Sequence, residues 1–394
     1  MLDHATRRAL RRVPTHRTWL KVAAMTVTAS LVVGACGSAA STASTTATTA
    51  PNTATTAPNT ATTAPNTGPT TPPTTGKVVI NVSTGAFADA IKWALIRPFQ
   101  EKTGIQVTTD EREPDLAVLQ AMMESGQPPT LDVYNAVPNG IPGDQYSKYL
   151  EPIDWSVVNK GDLLPGFYGD TWIASSVDSY VLGYNTKATG GKAPTGWADL
   201  FDLKSFPGKR MFEDRWETTC MITLLADGVA PDKLVPIDVD RCLKKLATIR
   251  AQIVWFQSGS ENQELLASGE VTMGMAFNGR VKAGVNEGAP VAAVWKNQLV
   301  EFAQFGVVKG SPNKAAAMQF IALATSREFS GALTEFLPYP GVNKYQTIYP
   351  SNAAWVPSAH FDTPYAQIDT ATKDWVNGNY AKYNPLFQAF KTGS

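Results

Sequence analysis

Histidine is the scarcest of the residues that usually carry chemistry: the 394-residue chain has three. Two of them, His4 and His16, lie in the basic first 21 residues, so the body retains only His360. Ser-His-Asp, Cys-His and multi-histidine zinc chemistry each need a placed imidazole and become poor candidates. Cysteine is equally sparse, with three in all, and Asp, Glu, Lys and Arg are missing altogether from residues 22–76. From Lys77 to Ser394 there are 28 basic and 33 acidic residues, a net charge of −5. A nucleic-acid binder needs a basic face to neutralise phosphates, and this body does not supply the excess. At 318 residues it can bury ample core and is expected to form two domains rather than one.

The charges that are present at the start have a direction. Arg7, Arg8, Arg11, Arg12, Arg17 and Lys21 precede an apolar run, Val22–Ala35, too short to span a bilayer comfortably but suited to the core of a secretory signal. Val33-Gly34-Ala35-Cys36 resembles the lipobox of bacterial lipoproteins, which implies cleavage at residue 35 and a lipid anchor on Cys36 at the outer face of the cytoplasmic membrane. A plain signal or short membrane anchor with a chance cysteine is the alternative. Residues 36–76 follow as a linker of Ala, Thr, Ser, Pro, Asn and Gly, in which Ala-Thr-Thr-Ala-Pro-Asn-Thr recurs at 47–53, 54–60 and 61–67. Its period of seven is not a heptad, because no large apolar residue forms a seam and each unit carries a proline. It reads as a solvated stalk.

Export places the two remaining cysteines, Cys220 and Cys242, in an oxidising setting, where a disulfide is expected between them; two buried free thiols are the alternative. From Lys77 onward, strand-like runs alternate with amphipathic helix-length stretches, the pattern of an α/β fold. Strands are expected at Val78–Val82, Leu131–Tyr134, Tyr180–Tyr184, Ile253–Phe256, Val271–Phe277, Val291–Trp295 and Phe302–Val308. Helices are expected at Ala88–Lys102, Arg215–Ala226, Val239–Gln252, Glu261–Ser268, Asn313–Thr325, Arg327–Phe336 and Asn384–Lys391.

An ordered set of motifs then carries a resemblance. Trp197-Ala198-Asp199-Leu200-Phe201, Pro207-Gly208-Lys209-Arg210, Leu265-Leu266-Ala267-Ser268-Gly269-Glu270-Val271 and Met273-Gly274-Met275-Ala276-Phe277-Asn278-Gly279-Arg280 look like the polyamine-type periplasmic binding proteins, the spermidine/putrescine receptors of ABC importers. Phe99–Ile105 and Val307–Lys314 continue the match, which is dense from 195 to 345 and loose in 109–175. The resemblance implies a two-lobed periplasmic-binding-protein type II fold, with two crossover strands and a central ligand cleft. Lobe one would comprise 77–182 and 307–394 and lobe two 183–306, with crossovers at Val177–Tyr184 and Phe305–Lys309. It also implies a receptor for a small amine, acting as a monomer, handing its solute to a permease and using no cofactor or metal. Ligand contacts from both lobes would stabilise the closed form that a permease recognises.

The family pattern places paired acids at Asp214 and Glu217, a first-lobe ring at Phe87 and a Tyr-Pro corner at Tyr339. Phe277 and Phe302 are further aromatic candidates. An amine needs carboxylates for its ammonium and aromatic walls for its methylenes. Asp214-Arg215-Trp216-Glu217 also reads as a helix cap. Two departures point away from a dication. Ala303 and Gln304 stand where the polyamine receptors carry an acid, with Glu301 the nearest carboxylate, and Arg280 stands where the putrescine type carries another. Arg280 is therefore expected to pair the carboxylate of an amino-acid-like zwitterion, unless it makes a surface salt bridge to Glu287. Ser258–Gln263 reads as a Ser-x-x-Gln capping box.

Three other classes are weighed. Ser311-Pro312-Asn313-Lys314 with Lys-Thr-Gly at 102–104 and 391–393 matches fragments of penicillin-recognising serine acyl-enzymes, but not in the order their site requires. A ferric-ion receptor of the same fold would be expected to offer adjacent tyrosines, and no Tyr-Tyr pair exists. A structural surface protein would bind nothing.

Overall fold

The structure is a computed structural model that describes residues 76–136 and 146–393, all within the compact unit Pro72–Ser394. The expected signal segment, Cys36 and residues 37–75 of the linker lie outside the described residues.

Strand β1 (Lys77–Val82) opens the fold and becomes buried on both faces as it proceeds, as expected of a strand that will be covered by helices. Helix α1 follows as one rod: Ala86–Ile91, a π-helical stretch Lys92–Ile96, then Arg97–Thr103. The widened turn sits just before Pro98, where the missing N–H interrupts regular bonding, and left-handed Gly104 ends the helix. Strand β2 (Gln106–Glu111) and, after helix α2 (Leu116–Glu124), strand β3 (Val133–Ala136) pair with β1 in parallel.

Two long strands organise the rest. Strand β4 (Ile173–Asn185) lies antiparallel to β8 (Val291–Val307). Between them come β5 (Arg210–Glu213), helix α3 (Trp216–Ala226), helix α4 (Val239–Ala247), β6 (Ile253–Phe256), helix α5 (Gly259–Ser268), β7 (Met273–Phe277) and helix α6 (Asn278–Asn286). The sheet order is β2-β1-β3-β8-β4-β7-β5-β6, and a short β9 (Ala366–Gln367) pairs with β8.

Each long strand belongs to two cores. Ile173, Ala174 and Val177 pack in the first cluster with β1 and α1, and Tyr180, Val181 and Leu182 in the second with α3 and α4. On β8 the change falls between Leu299 and Val300. The two halves therefore share one continuous ribbon, β4 with β8, at the line where their cores separate.

The second crossover was expected some residues later, between two separate strands. Its polar triplet Lys296-Asn297-Gln298 reads as a loop, yet it is absorbed as an irregularity inside one strand. The register shifts from Tyr180↔Leu299 to Leu182↔Val294, and Asn297 takes φ 57°, a conformation asparagine tolerates well.

Past helix α7 (Lys314–Ala324), the chain ends in α8 (Thr370–Thr392), three times as long as the expected Asn384–Lys391. Gly378 and Pro385 hide it from propensity, and packing overrides them. Its Trp375, Tyr380 and Tyr383 rings lie 5.6–6.5 Å from Trp216, and Phe387 meets Trp255 edge-on at 5.2 Å. These partners belong to the second core, so α8 packs on the second half, although residues 307–394 read as part of the first. The segment Arg327–Phe336, expected as a helix, has only a 3₁₀ turn at Ala332–Glu335.

Helices α3 and α4 are joined by the Cys220–Cys242 disulfide, Cα–Cα 5.2 Å. Closing a loop of this length contributes about 3 kcal/mol in the chain-entropy model.

Candidate functional site

Strand β5 delivers Glu213, Asp214 and Arg215 to the start of α3, at the seam between the halves. Glu213 is pinned first. Its carboxylate accepts from Tyr180 Oη at 2.5 Å and from Thr218 Oγ1 at 2.9 Å, and its carbonyl accepts from Thr219 Oγ1 at 2.8 Å. Arg215 occupies the N-cap in extended conformation, without a side-chain cap bond, so Asp214-Arg215-Trp216-Glu217 does not act as the expected cap.

The Arg215 guanidinium gathers the neighbouring acids. It lies 3.2 Å from Glu213, 3.3 Å from Glu217 and 3.5 Å from Glu301, and donates to Tyr180 Oη at 3.0 Å. Burial works against its charge, but the three carboxylates and Tyr180 outweigh that and raise its pKa above the ordinary arginine value. Glu217 is itself buried, which raises its pKa against the lowering effect of Arg215.

Glu301 and Asp178 face each other as register partners on β8 and β4. Both are buried. Burial first, and then the charge of Glu301, push the Asp178 carboxyl well above the usual range. Among the described residues no cation forms an ion pair with Asp178.

Arg280 lies in the first turn of α6. The start of that helix is fixed by Asn278, whose amide donates to the carbonyls of Pro338 (3.2 Å) and Trp355 (2.8 Å) and whose Oδ1 accepts from Ser179 N on β4 (3.0 Å). Arg280 is buried and its Nη2 donates across the seam to Thr84 O at 3.1 Å. Thr84 Oγ1 also lies 3.4 Å from Ser260 Oγ, and at the next residue, Gly85 (φ 69°), a Cβ would collide with Ser260. No carboxylate among the described residues lies within ion-pair distance of Arg280. The alternative of a salt bridge to Glu287 does not form, and Glu287 instead accepts from Gln263 Nε2 at 3.2 Å.

The aromatic candidates separate into three groups. Phe87 and Tyr339 are buried together, ring centroids 6.0 Å apart, with Tyr339 close against Gly279 beside Arg280. Phe277 lies on Tyr180 at 4.7 Å. Phe302 packs against Trp172, and its face is covered by the ammonium of Lys373 from α8, 3.3 Å from the ring centre. Gln304 is buried in β8, opposite Ala136 of β3 and Ala174 of β4.

Asp214 is drawn elsewhere: it ion-pairs with Lys391 of α8 and accepts from Gln257 Nε2 at 2.8 Å. Asp214→Asn is expected to loosen the end of α8, lowering stability by about 2 kcal/mol in a denaturant melt while leaving solute affinity unchanged. The capping box at α5 is also displaced from the expected Ser-x-x-Gln: Ser258 Oγ accepts from Glu261 N at 3.2 Å, and Glu261 accepts from Gln257 N at 2.8 Å. In the Ser-x-x-Lys match, Ser311 donates to Asp132 at 2.6 Å and Lys314 pairs with Glu151 at 2.8 Å, so serine and lysine serve different partners.

Asp178, Glu213, Arg215 and Lys373 were missed in the sequence. For Asp178 a signal existed, an acid just ahead of the strand-like run Tyr180–Tyr184, where burial without a purpose is costly.

A two-halved α/β molecule with a charged, buried seam is the architecture of a solute receptor. Residues 94–347 match the model of the bacterial extracellular solute-binding proteins, and the chain belongs to that family, the receptors of ABC importers. A gamma-aminobutyric acid-binding protein of Pseudomonas aeruginosa is 32% identical over 267 residues, 66% of this chain and 75% of that protein. The solved structure of the Atu4243-GABA receptor is 34% identical, with a TM-score of 0.71 over 80% of this chain and 97% of that one. The spermidine/putrescine-binding periplasmic protein of Escherichia coli is 22% identical over 164 residues, 41% of this chain and 47% of that protein. The family resemblance is thus confirmed at the level of solute receptors, while the polyamine type is a distant relation. Family membership supports export of the chain.

Proposed function

We propose that this receptor captures a small zwitterion with an amine at one end and a carboxylate at the other, of the size of 4-aminobutyrate. Arg280 takes the carboxylate, Asp178 takes the ammonium beside Glu301, and Phe87, Tyr339 and Phe277 wall the methylenes. Glu217, the acid favoured in the sequence, serves by fixing Arg215. The observation that carries the reading is a buried guanidinium with no carboxylate partner among the described residues, near a desolvated carboxyl with no cation ion-paired to it among them. Desolvated groups of opposite sign are costly to keep ionised until a ligand completes both. The two relatives named for gamma-aminobutyric acid support the same chemistry. In this reading the chain is held at the cell surface by lipid on Cys36, acts as a monomer and passes its solute to a permease. Several acyl chains on one residue would anchor it stably.

Calorimetry of the soluble body with 4-aminobutyrate, betaines, putrescine and spermidine tests the solute. We expect 4-aminobutyrate to bind and the two polyamines to bind at least about 100-fold more weakly, the scale of a buried charge left unpaired. Tighter binding of spermidine than of any zwitterion would refute the assignment.

A further inference from the structure

Lys373 presents an ammonium inside the molecule at a place rich in the groups that recognise amines. It is carried by α8, which is fastened to the second half through Val376 and Phe387. Its Nζ nevertheless reaches the first half, lying 3.3 Å from the centre of the Phe302 ring and 5.2 Å from that of Trp172. Phe302 and Trp172 are stacked with an interplanar angle of 21°, so the two rings form one aromatic wall. Glu301, one residue from Phe302 on β8, is the foremost acid acting on this ammonium, followed by Asp369 and Asp374. An aromatic wall with an adjoining carboxylate is what a free ammonium ligand would require.

We propose that Lys373 is a tethered stand-in for a second ligand ammonium, and that by occupying the Glu301–Phe302–Trp172 site it makes the cleft accept zwitterions and refuse linear diamines. This rests on the zwitterion reading above and names the residue that sets its selectivity. Glu301 is shared between Arg215 and Lys373, which leaves its register partner Asp178 as the one ammonium site. A diamine that placed one end on Asp178 would meet a cation where its other end needs an anion. Burial pushes the Lys373 pKa down to about 7 against the pull of those three acids, which fits an amine held in a dry site.

Lys373→Met keeps the length of the side chain and removes the charge. Calorimetry with 4-aminobutyrate and putrescine on the wild type, Lys373→Met and Lys373→Arg, each checked for folding by its thermal melt, separates the possibilities. Putrescine affinity is expected to rise about 30-fold in Lys373→Met, the value of a desolvated cation–π contact, and to stay at the wild-type level in Lys373→Arg. The double variant Lys373→Met/Glu301→Gln should lose the gain, and if the gain persists there the electrostatic account is wrong. If the wild type binds 4-aminobutyrate and Lys373→Met keeps the same preference, the role of Lys373 is overturned while the zwitterion reading stands. Should the wild type bind no zwitterion while Lys373→Met binds putrescine, Lys373 is the plug and the zwitterion reading fails.

Discussion

Arg280→Ala is expected to weaken 4-aminobutyrate binding by more than about 100-fold, the loss that follows when one partner of a buried charge pair is truncated. The guanidinium donates from Nη2 to Thr84 O, and its other N–H groups can address a planar carboxylate. Because the same bond crosses between the halves, the variant also loses a closing contact. Lysine at this position should restore only part of the affinity, since an ammonium cannot reproduce the bidentate fork. Calorimetry on both variants checks this, and 4-aminobutyrate affinity in Arg280→Ala within about threefold of wild type would rule out Arg280 as the carboxylate anchor.

Asp178→Asn is the second large effect, with a pH dependence of defined sign. In the empty protein, burial and Glu301 raise the Asp178 pKa, so the folded state binds more protons than the unfolded chain at pH values above the ordinary carboxylate range. Stability therefore falls as pH rises through that window, and Asp178→Asn removes the slope and stabilises the empty protein at neutral pH. An incoming ammonium favours the ionised carboxylate, so binding at a pH below the raised pKa must expel a proton, and affinity must fall as pH falls. Asp178→Asn is expected to lose about 100-fold in affinity and to abolish the proton release seen when binding heats are compared in buffers of different ionisation enthalpy. Unchanged release in the variant would place the titrating group elsewhere.

How much of this was legible in the sequence can be judged element by element. Strand Ile253–Phe256 and helices α3 and α7 were readable to within a residue, because their apolar spacing and flanking polar residues agree with their packing. The long β8 was not, because three polar residues inside it look like a loop and only the pairing with β4 holds them in line. Helix α8 was half hidden by Gly378 and Pro385, and Lys373 with it. Of the proposed site, Arg280 and Tyr339 were named through the order of motifs. Glu217 was named too, but it pairs with Arg215, whose three carboxylate partners come from strands β5 and β8 and helix α3. The absence of an acid at Ala303 and Gln304 pointed away from a dication. Pairing of Asp178 with Glu301 across two strands brings further acids to the seam, and no spacing in one strand could have revealed it.

A crystal structure of the body with 4-aminobutyrate is the most direct test. The account predicts the ligand carboxylate on Arg280 and its ammonium on Asp178, with Lys373 still seated on Phe302. A ligand found with the ends reversed, or bound away from both side chains, would contradict it.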